Sequence, residues 1–263
     1  LRIVTNIIDR LTSPKSPYSK AMEEFLHAFV FPLFNSNYGF LRARVCEICS
    51  KLSEYEFTKE SSIPIIYEGV MHCFNDESGF LPVKLLAAFA LQSFVQNTTF
   101  QESLSTIVVP TMQSLLQLSN EFESDVISGV IREFVEQFSK ELQPFSVELT
   151  NNLVQQFLKL AIELNDASRA DVNAFSGGDL PDESDKEMAA LGILSTIISI
   201  LLSFENSTDI IESLEHSFYP AAEFILKNDM EDFYHEVCEF IENSTFLLRR
   251  VSSISWKVLE LIG

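Results

Sequence analysis

Along most of this chain apolar residues recur at steps of three and four, the spacing that puts them on one face of an α-helix. In DVISGVIREFVEQFSK the apolar set is Val126, Ile127, Val130, Ile131, Phe134, Val135 and Phe138, while Arg132, Glu133, Glu136 and Gln137 fall opposite. No segment alternates apolar and polar residues between hairpin turns, so the pattern predicts an all-α chain. The stretch FNSNYGFL, Phe34 to Leu41, returns forty residues later as FNDESGFL, Phe74 to Leu81. Each copy stands between two apolar helical stretches and marks the turn of a helix pair. We expect Gly39 and Gly79 to relax the backbone at that turn, with Asn35 and Asn75 ending the helices before it.

Two helices every forty residues predict a superhelical solenoid of antiparallel helix pairs. The pairs fall at 21–53, 61–96, 101–140, 143–204 and 207–243, with a partial one from 252, all in a single solenoid over 1–263. Three first helices carry a proline (Pro32, Pro110, Pro220), which bends a helix by removing a ladder hydrogen bond. That feature and the spacing fit HEAT repeats better than the shorter helical repeats. The second helix at 80–96 has only Lys84 as a charge, so it is expected to be buried nearly all round. The run MAALGILSTIISILLSF, Met188 to Phe204, is short for a membrane span and is punctuated by hydroxyl residues. We read it as an inner helix, with Ile193, Ile197 and Leu201 buried between the third and fifth pairs.

Two segments interrupt the repeats. TSPKSPYSK, 12–20, reads as a plain linker; Ser13 and Ser16 each precede a proline, a pattern that also fits proline-directed phosphorylation. Residues 165–187 form an acidic insertion loop, with seven acids against two bases for a net of −5.

The chain has 38 acidic and 18 basic residues, a net charge of −20, which repels nucleic-acid phosphate and favours basic proteins as partners. Because it opens on Leu1 rather than Met, we expect a segment of a longer protein. Cys46, Cys49, Cys73 and Cys238 lie in apolar helical patterns and read as reduced core thiols. The sequons at Asn97, Asn206 and Asn243 read as helix caps.

Candidate chemistry is sparse. Cys46 and Cys49 with His72 and Cys73 have the inventory for zinc, but Cys46 and Cys49 share the apolar stripe of Leu41, Val45, Ile48 and Leu52, while His72 and Cys73 diverge on their helix. His235-Glu236 lacks a second histidine four positions on, and no phosphate-binding glycine loop or nucleophile elbow is present. No cofactor, metal or catalytic residue is assigned, and an enzyme is not expected. In DMEDFYHEVCEFIEN the apolar set Met230, Phe233, Tyr234, Val237, Cys238 and Ile241 leaves Asp232, Glu236, Glu239 and Glu242 on another face. That stripe is either a solvated surface or a site for a basic partner. On charge alone the candidate binding residues are Asp179, Asp182, Glu183, Asp185, Glu187, Asp232, Glu236 and Glu239.

The segments HAFVFPLFNSNYGFLRARVCEI, LPVKLLAAFALQSFV, ESLSTIVVPTMQSLLQL, SVELTNNLVQQFL, KEMAALGILSTIISILLS and FYHEVCEFI resemble, in order and spacing, the middle-to-late HEAT repeats of the importin-beta superfamily. The likeness is to its importin seven and importin eight subfamily and runs from about residue 21 to 243; TSPKSPYSK has no counterpart in it. The resemblance implies a nuclear import receptor that shuttles between cytoplasm and nucleus through nuclear pores. It would carry basic cargo such as ribosomal proteins and histones, release it when the GTP form of Ran binds, and meet Phe-Gly nucleoporins on its first helices. The main Ran site of that family precedes the region matched here. The competing reading is a HEAT-repeat scaffold within a larger assembly.

Overall fold

The structure, a computed structural model, describes residues 1–76, 80–121, 125–171, 181–204 and 207–262. Among them every regular element is helical, and the fold is of the HEAT-repeat, all-α class. The chain divides into two compact units, Leu1–Ile107 and Val108–Gly263.

The first unit opens with α1 (Arg2–Thr12) and α2 (Ser19–Phe25). The helix expected over 21–34 does not continue as one piece: α2 passes into a π turn, Leu26–Val30, and then a 3₁₀ turn, Phe31–Asn35. Pro32 accounts for this, because its ring would clash with the carbonyl of Ala28 in a regular α-helix, so the chain first widens and then tightens. There follow α3 (Gly39–Ser50), α4 (Ser62–Phe74), α5 (Leu81–Phe94) and α6 (Thr98–Ser105). The second helices α3 and α5 pack on each other, while the first-helix layer runs from the π and 3₁₀ turns through α4 to α6. Val45, Ile48 and Leu52 meet a core that includes Val83, Ala87, Leu91 and Phe94, all buried.

The repeated turn is built by packing. Asn75 does cap α4, as expected, its N–H donating to Met71 and Cys73 carbonyls. Gly39, however, serves no left-handed turn: a Cβ there would lie 2.7 Å from the Phe80 ring, so the glycine makes room for the aromatic of the second copy. Gly79 lies outside the described residues. Gly69 does the same for Phe34, whose ring carbon would stand 2.3 Å from an added Cβ. Arg42 then joins the two copies, donating at 2.7 Å both to the Ser36 carbonyl and to the Asp76 carboxylate, which occupy equivalent places in FNSNYGFL and FNDESGFL.

The second unit contains α7 (Val108–Glu121), α8 (Asp125–Gln137), α9 (Ser139–Leu142) with a 3₁₀ turn Gln143–Phe145, α10 (Ser146–Asp171), α11 (Pro181–Ser203), α12 (Thr208–Lys227), a 3₁₀ turn Glu231–Phe233, α13 (Tyr234–Leu248) and α14 (Ser253–Ile262). The expected first helix 101–118 breaks at Thr106–Ile107; Pro110 then lies in the first turn of α7, where its missing N–H has no ladder partner to lose. Pro220, by contrast, sits inside α12 without ending it. The second helices α8, α11 and α13 form one layer, and α10, α12 and α14 another.

As predicted, α11 packs between α8 and α13, with Ile193, Ile197 and Leu201 at most 3% exposed. It is long and apolar enough to cross a membrane over Ser184–Ser203, yet here it is a core helix. Its buried Thr196 is satisfied by donating to Gly192 O at 2.8 Å. Part of the loop expected over 165–187 is helical, since α10 runs to Asp171 and α11 starts at Pro181, a residue suited to the first helical position; residues 172–180 lie outside the described residues. Asn97 caps α6 by accepting the Phe100 N–H at 3.2 Å, as expected. Asn243 corrects that expectation: it lies within α13, which continues to Leu248 and stops at Arg249 in the left-handed region. Asn206 lies outside the described residues.

Candidate functional site

In the second unit, the C-terminal part of α10, the start of α11 and the turn after α12 enclose a cleft of about 320 Å³. The turn is held open by its own bonds. Asn228 caps α12, donating through Nδ2 to Phe224 O at 2.9 Å and accepting from Asn165 of α10 at 3.3 Å. Asp229 adopts the left-handed region, φ 57°, which an aspartate tolerates better than most residues, and Met230 N closes the turn onto Ile225 O at 3.1 Å. Tyr234 donates its hydroxyl to Asp229 Oδ1 at 2.6 Å, and this bond to a carboxylate pushes the phenol's pKa up. Phe233 anchors the far side, buried edge-on against Phe157 with ring centroids 5.4 Å apart.

Four carboxylates border this cleft: Glu187 from α11 and Asp229, Glu231 and Asp232 from the turn. None of the four has an ion-pair partner among the described residues. Of the residues proposed from charge, the fold therefore brings Glu187 and Asp232 together, although they are 45 positions apart in sequence. Asp185 is exposed nearby on α11. Asp182 and Glu183 belong to the start of α11, and Asp179 lies outside the described residues. Lys186 is turned away to Glu163 of α10, at 2.9 Å; that bond holds the Glu163 carboxyl below its ordinary pKa.

The stripe expected on the fifth second helix is rearranged. Asp232 belongs to the 3₁₀ turn rather than to α13, so it is not in helical register with Glu236. The change of pitch also turns the apolar face: Phe240, left out of the predicted set, is fully buried, whereas Cys238 is exposed. Glu239 lies 3.9 Å from His235, and Glu236 Oε2 is covered without a hydrogen-bond partner. Asp229 was missed because residue pattern alone does not reveal a left-handed turn at the end of α12.

The other constellations are structural. Cys46, Cys49 and Cys73 are fully buried, His72 is exposed, and no cluster with metal-binding geometry occurs among the described residues. Burial pushes the Cys49 thiol pKa up; the Cys46 thiol is raised by its hydrogen bond with Cys73 as well as by burial. The same bond lowers the Cys73 thiol pKa, but all three side chains are sealed from solvent and serve as core residues.

A network that sequence pattern did not reveal lies around Glu23. Its carboxylate accepts from Thr58 N at 3.0 Å, Lys59 N at 2.9 Å and Ser62 Oγ at 2.6 Å, and also from the Thr58 hydroxyl. His27 Nε2 meets Ser62 Oγ at 2.8 Å. A nucleophilic serine would give its proton to the imidazole, but this buried hydroxyl gives it to the carboxylate, so the trio is a clamp on the N-terminus of α4 and not a catalytic triad. Glu215 of α12 repeats the device with Ser255 of α14, at 3.0 Å. In both cases an acid on one first helix holds a serine some forty residues on, at the start of the next.

No family model and no solved structure matches the chain. Nonsense-mediated mRNA decay protein 5 of Saccharomyces cerevisiae is 63% identical across the whole chain, which covers 25% of that protein. Importin-8 of Danio rerio is 30% identical over 98% of the chain and 24% of its own length. The probable importin-7 homolog of Dictyostelium discoideum is 23% identical over 99% of the chain and 23% of its own length. The chain thus spans about a quarter of the length of these relatives. Together with the stacked helix pairs, this similarity shows that the chain belongs to the importin-beta superfamily and is related to its importin-7 and importin-8 members.

Proposed function

We propose that the chain is part of a nuclear import receptor and contributes a binding surface for basic proteins. The observation that carries the surface is the cleft bordered by Glu187, Asp229, Glu231 and Asp232, in a chain of net charge −20. A lysine or arginine side chain entering there would find several carboxylates and, among the described residues that line the cleft, no competing base. Ribosomal proteins and histones have the matching charge. The names of the importin relatives support the transport role, which is not enzymatic, and with it residence in both cytoplasm and nucleus. Release on binding of GTP-loaded Ran, with the main Ran contacts elsewhere in the receptor, completes the reading. Phe-Gly nucleoporins would meet the first-helix layer, where Phe29 stands 65% exposed.

The test is binding to a linker histone, measured by biolayer interferometry, for the original protein and a variant carrying Glu187→Gln, Asp229→Asn, Glu231→Gln and Asp232→Asn. Exposed ion pairs contribute about 0 to 1 kcal/mol each, so four together should weaken binding by about tenfold or more. Affinity unchanged by the variant, in protein that still melts normally, would refute the site. In the whole receptor, histone that stays bound when GTP-loaded Ran is added would refute the transport cycle.

A further inference from the structure

The linker between α1 and α2 carries the sequence Ser13-Pro14-Lys15-Ser16-Pro17, and of nine prolines in the chain only these two follow a serine or threonine. Proline fixes its own φ, removes an N–H and holds the residue before it in extended backbone; Ser13 is so held, at φ −51° and ψ 137°. Pro14 and Pro17 are both exposed, as are Lys15 and Tyr18. Every hydrogen bond that residues 13–18 make to described residues stays within the linker or reaches only the ends of its two helices. Ser16 N donates to Ser13 O at 2.8 Å and Ser19 N to Ser16 O at 3.3 Å, while the serine hydroxyls accept from Lys15 N and Tyr18 N at 3.4 and 3.2 Å. The flanks are fastened separately, Ser19 Oγ to Thr12 O at 3.1 Å and the Tyr55 hydroxyl to Ser19 O at 2.8 Å. Ser13 and Ser16 are themselves half-buried, so the segment must open to present them, which costs only the Ser13 N bond to Asp9 O, the bonds of Ala21 N and Met22 N to Tyr18 O and those within the linker.

We propose that Ser13 and Ser16 are phosphorylation sites for a proline-directed protein kinase. The serine Oγ attacks the γ-phosphorus of a nucleoside triphosphate. The new Oγ–P bond replaces the bond to the bridging oxygen, the diphosphate leaves, and the hydroxyl proton passes to the kinase's base. Residues 10–20 contain three bases and no acid, a charge of +3. Two phosphates at about −2 each take the stretch to about −1, so a basic segment in an acidic chain changes sign. Arg10 lies three residues before Ser13, the spacing an arginine-directed kinase would use, so the experiment must separate the two specificities.

The protein is incubated with ATP, magnesium and a purified cyclin-dependent kinase, and modified residues are mapped by tandem mass spectrometry. Phosphate is expected at Ser13 and Ser16. It should be lost from Ser13 alone in Pro14→Ala and from Ser16 alone in Pro17→Ala. Absence of phosphate at both serines, or phosphate that survives replacement of the following proline, overturns the proposal.

Discussion

Replacing Glu23 by Gln should loosen the N-terminal end of α4, and should do so less as the pH falls. Burial by itself would raise the pKa of this carboxyl, but the bonds from Ser62, Thr58 and the Lys59 and Thr58 amides more than offset that and bring it down to about 2. A folded pKa below the unfolded one means stability that is fully present above about pH 4.5 and is lost as pH falls through 2. At 1.36 kcal/mol per pKa unit the difference corresponds to about 3 kcal/mol at neutral pH. Its donors Thr58 and Lys59 are themselves exposed, so solvent screens part of it, and about 1 to 3 kcal/mol is the expected loss. Gln preserves the shape but turns an amide N–H₂ towards amide and hydroxyl donors. The only tryptophan, Trp256, belongs to the other unit, so its fluorescence would miss the change. Hydrogen exchange read by mass spectrometry over residues 55–74 reports it directly. Faster exchange in the variant at pH 7, shrinking to less than half that free-energy difference at pH 3, is the expected outcome. An equal difference at the two pH values would show that the carboxylate charge is irrelevant to the clamp.

Two further substitutions probe the packing. Ile197→Asp places a charge at a site 1% exposed between α8 and α13, which should cost several kcal/mol and appear as a lower thermal midpoint by circular dichroism; an unchanged melt would contradict the placement of α11. Gly69→Ala drives a methyl into the Phe34 ring and should cost about 1 to 3 kcal/mol, and the smaller side chain of Phe34→Leu in the same molecule should recover part of it; strictly additive losses in the double variant would disprove the contact.

The regular parts of this fold were legible because they are repetitive. Three- and four-residue periodicity located the helices, and the repeated FN…GFL stretch located a turn, since both are written in residue type. What was misread depended on contacts between distant residues. Gly39 looked like a backbone hinge, but its reason is Phe80, forty-one positions on. The acids of 165–187 looked like a loop because charge was read as irregularity, whereas α10 and α11 extend into that stretch and carry Asp166 and Asp185 exposed on their surfaces. The face of α13 was misphased because a single 3₁₀ turn before it shifts every later side chain. The acidic cleft was half legible: charge density pointed to Glu187 and Asp232, but only the fold brings them together.

The same structure separates the acids that hold the molecule from those available to a partner. Glu23 and Glu215 are consumed by buried serines, while Asp76, Glu163, Glu212 and Glu223 each face a base of the chain itself. They still count in the net charge of −20, and so contribute to the long-range field that draws in a cation, but they are committed at short range. Among the described residues the carboxylates around the cleft face no base, Asp229 accepting only the Tyr234 hydroxyl, and so are suited to direct contact. Neutralising Glu187, Asp229, Glu231 and Asp232 removes four charges from −20 and leaves −16, so most of the steering field survives. A variant of this kind should therefore release a basic protein faster while capturing it at nearly the same rate, because contacts set dissociation and the summed field sets encounter. A histone whose capture slows while its release is unchanged would mean that the cleft acts only through the field, and that contact is made elsewhere.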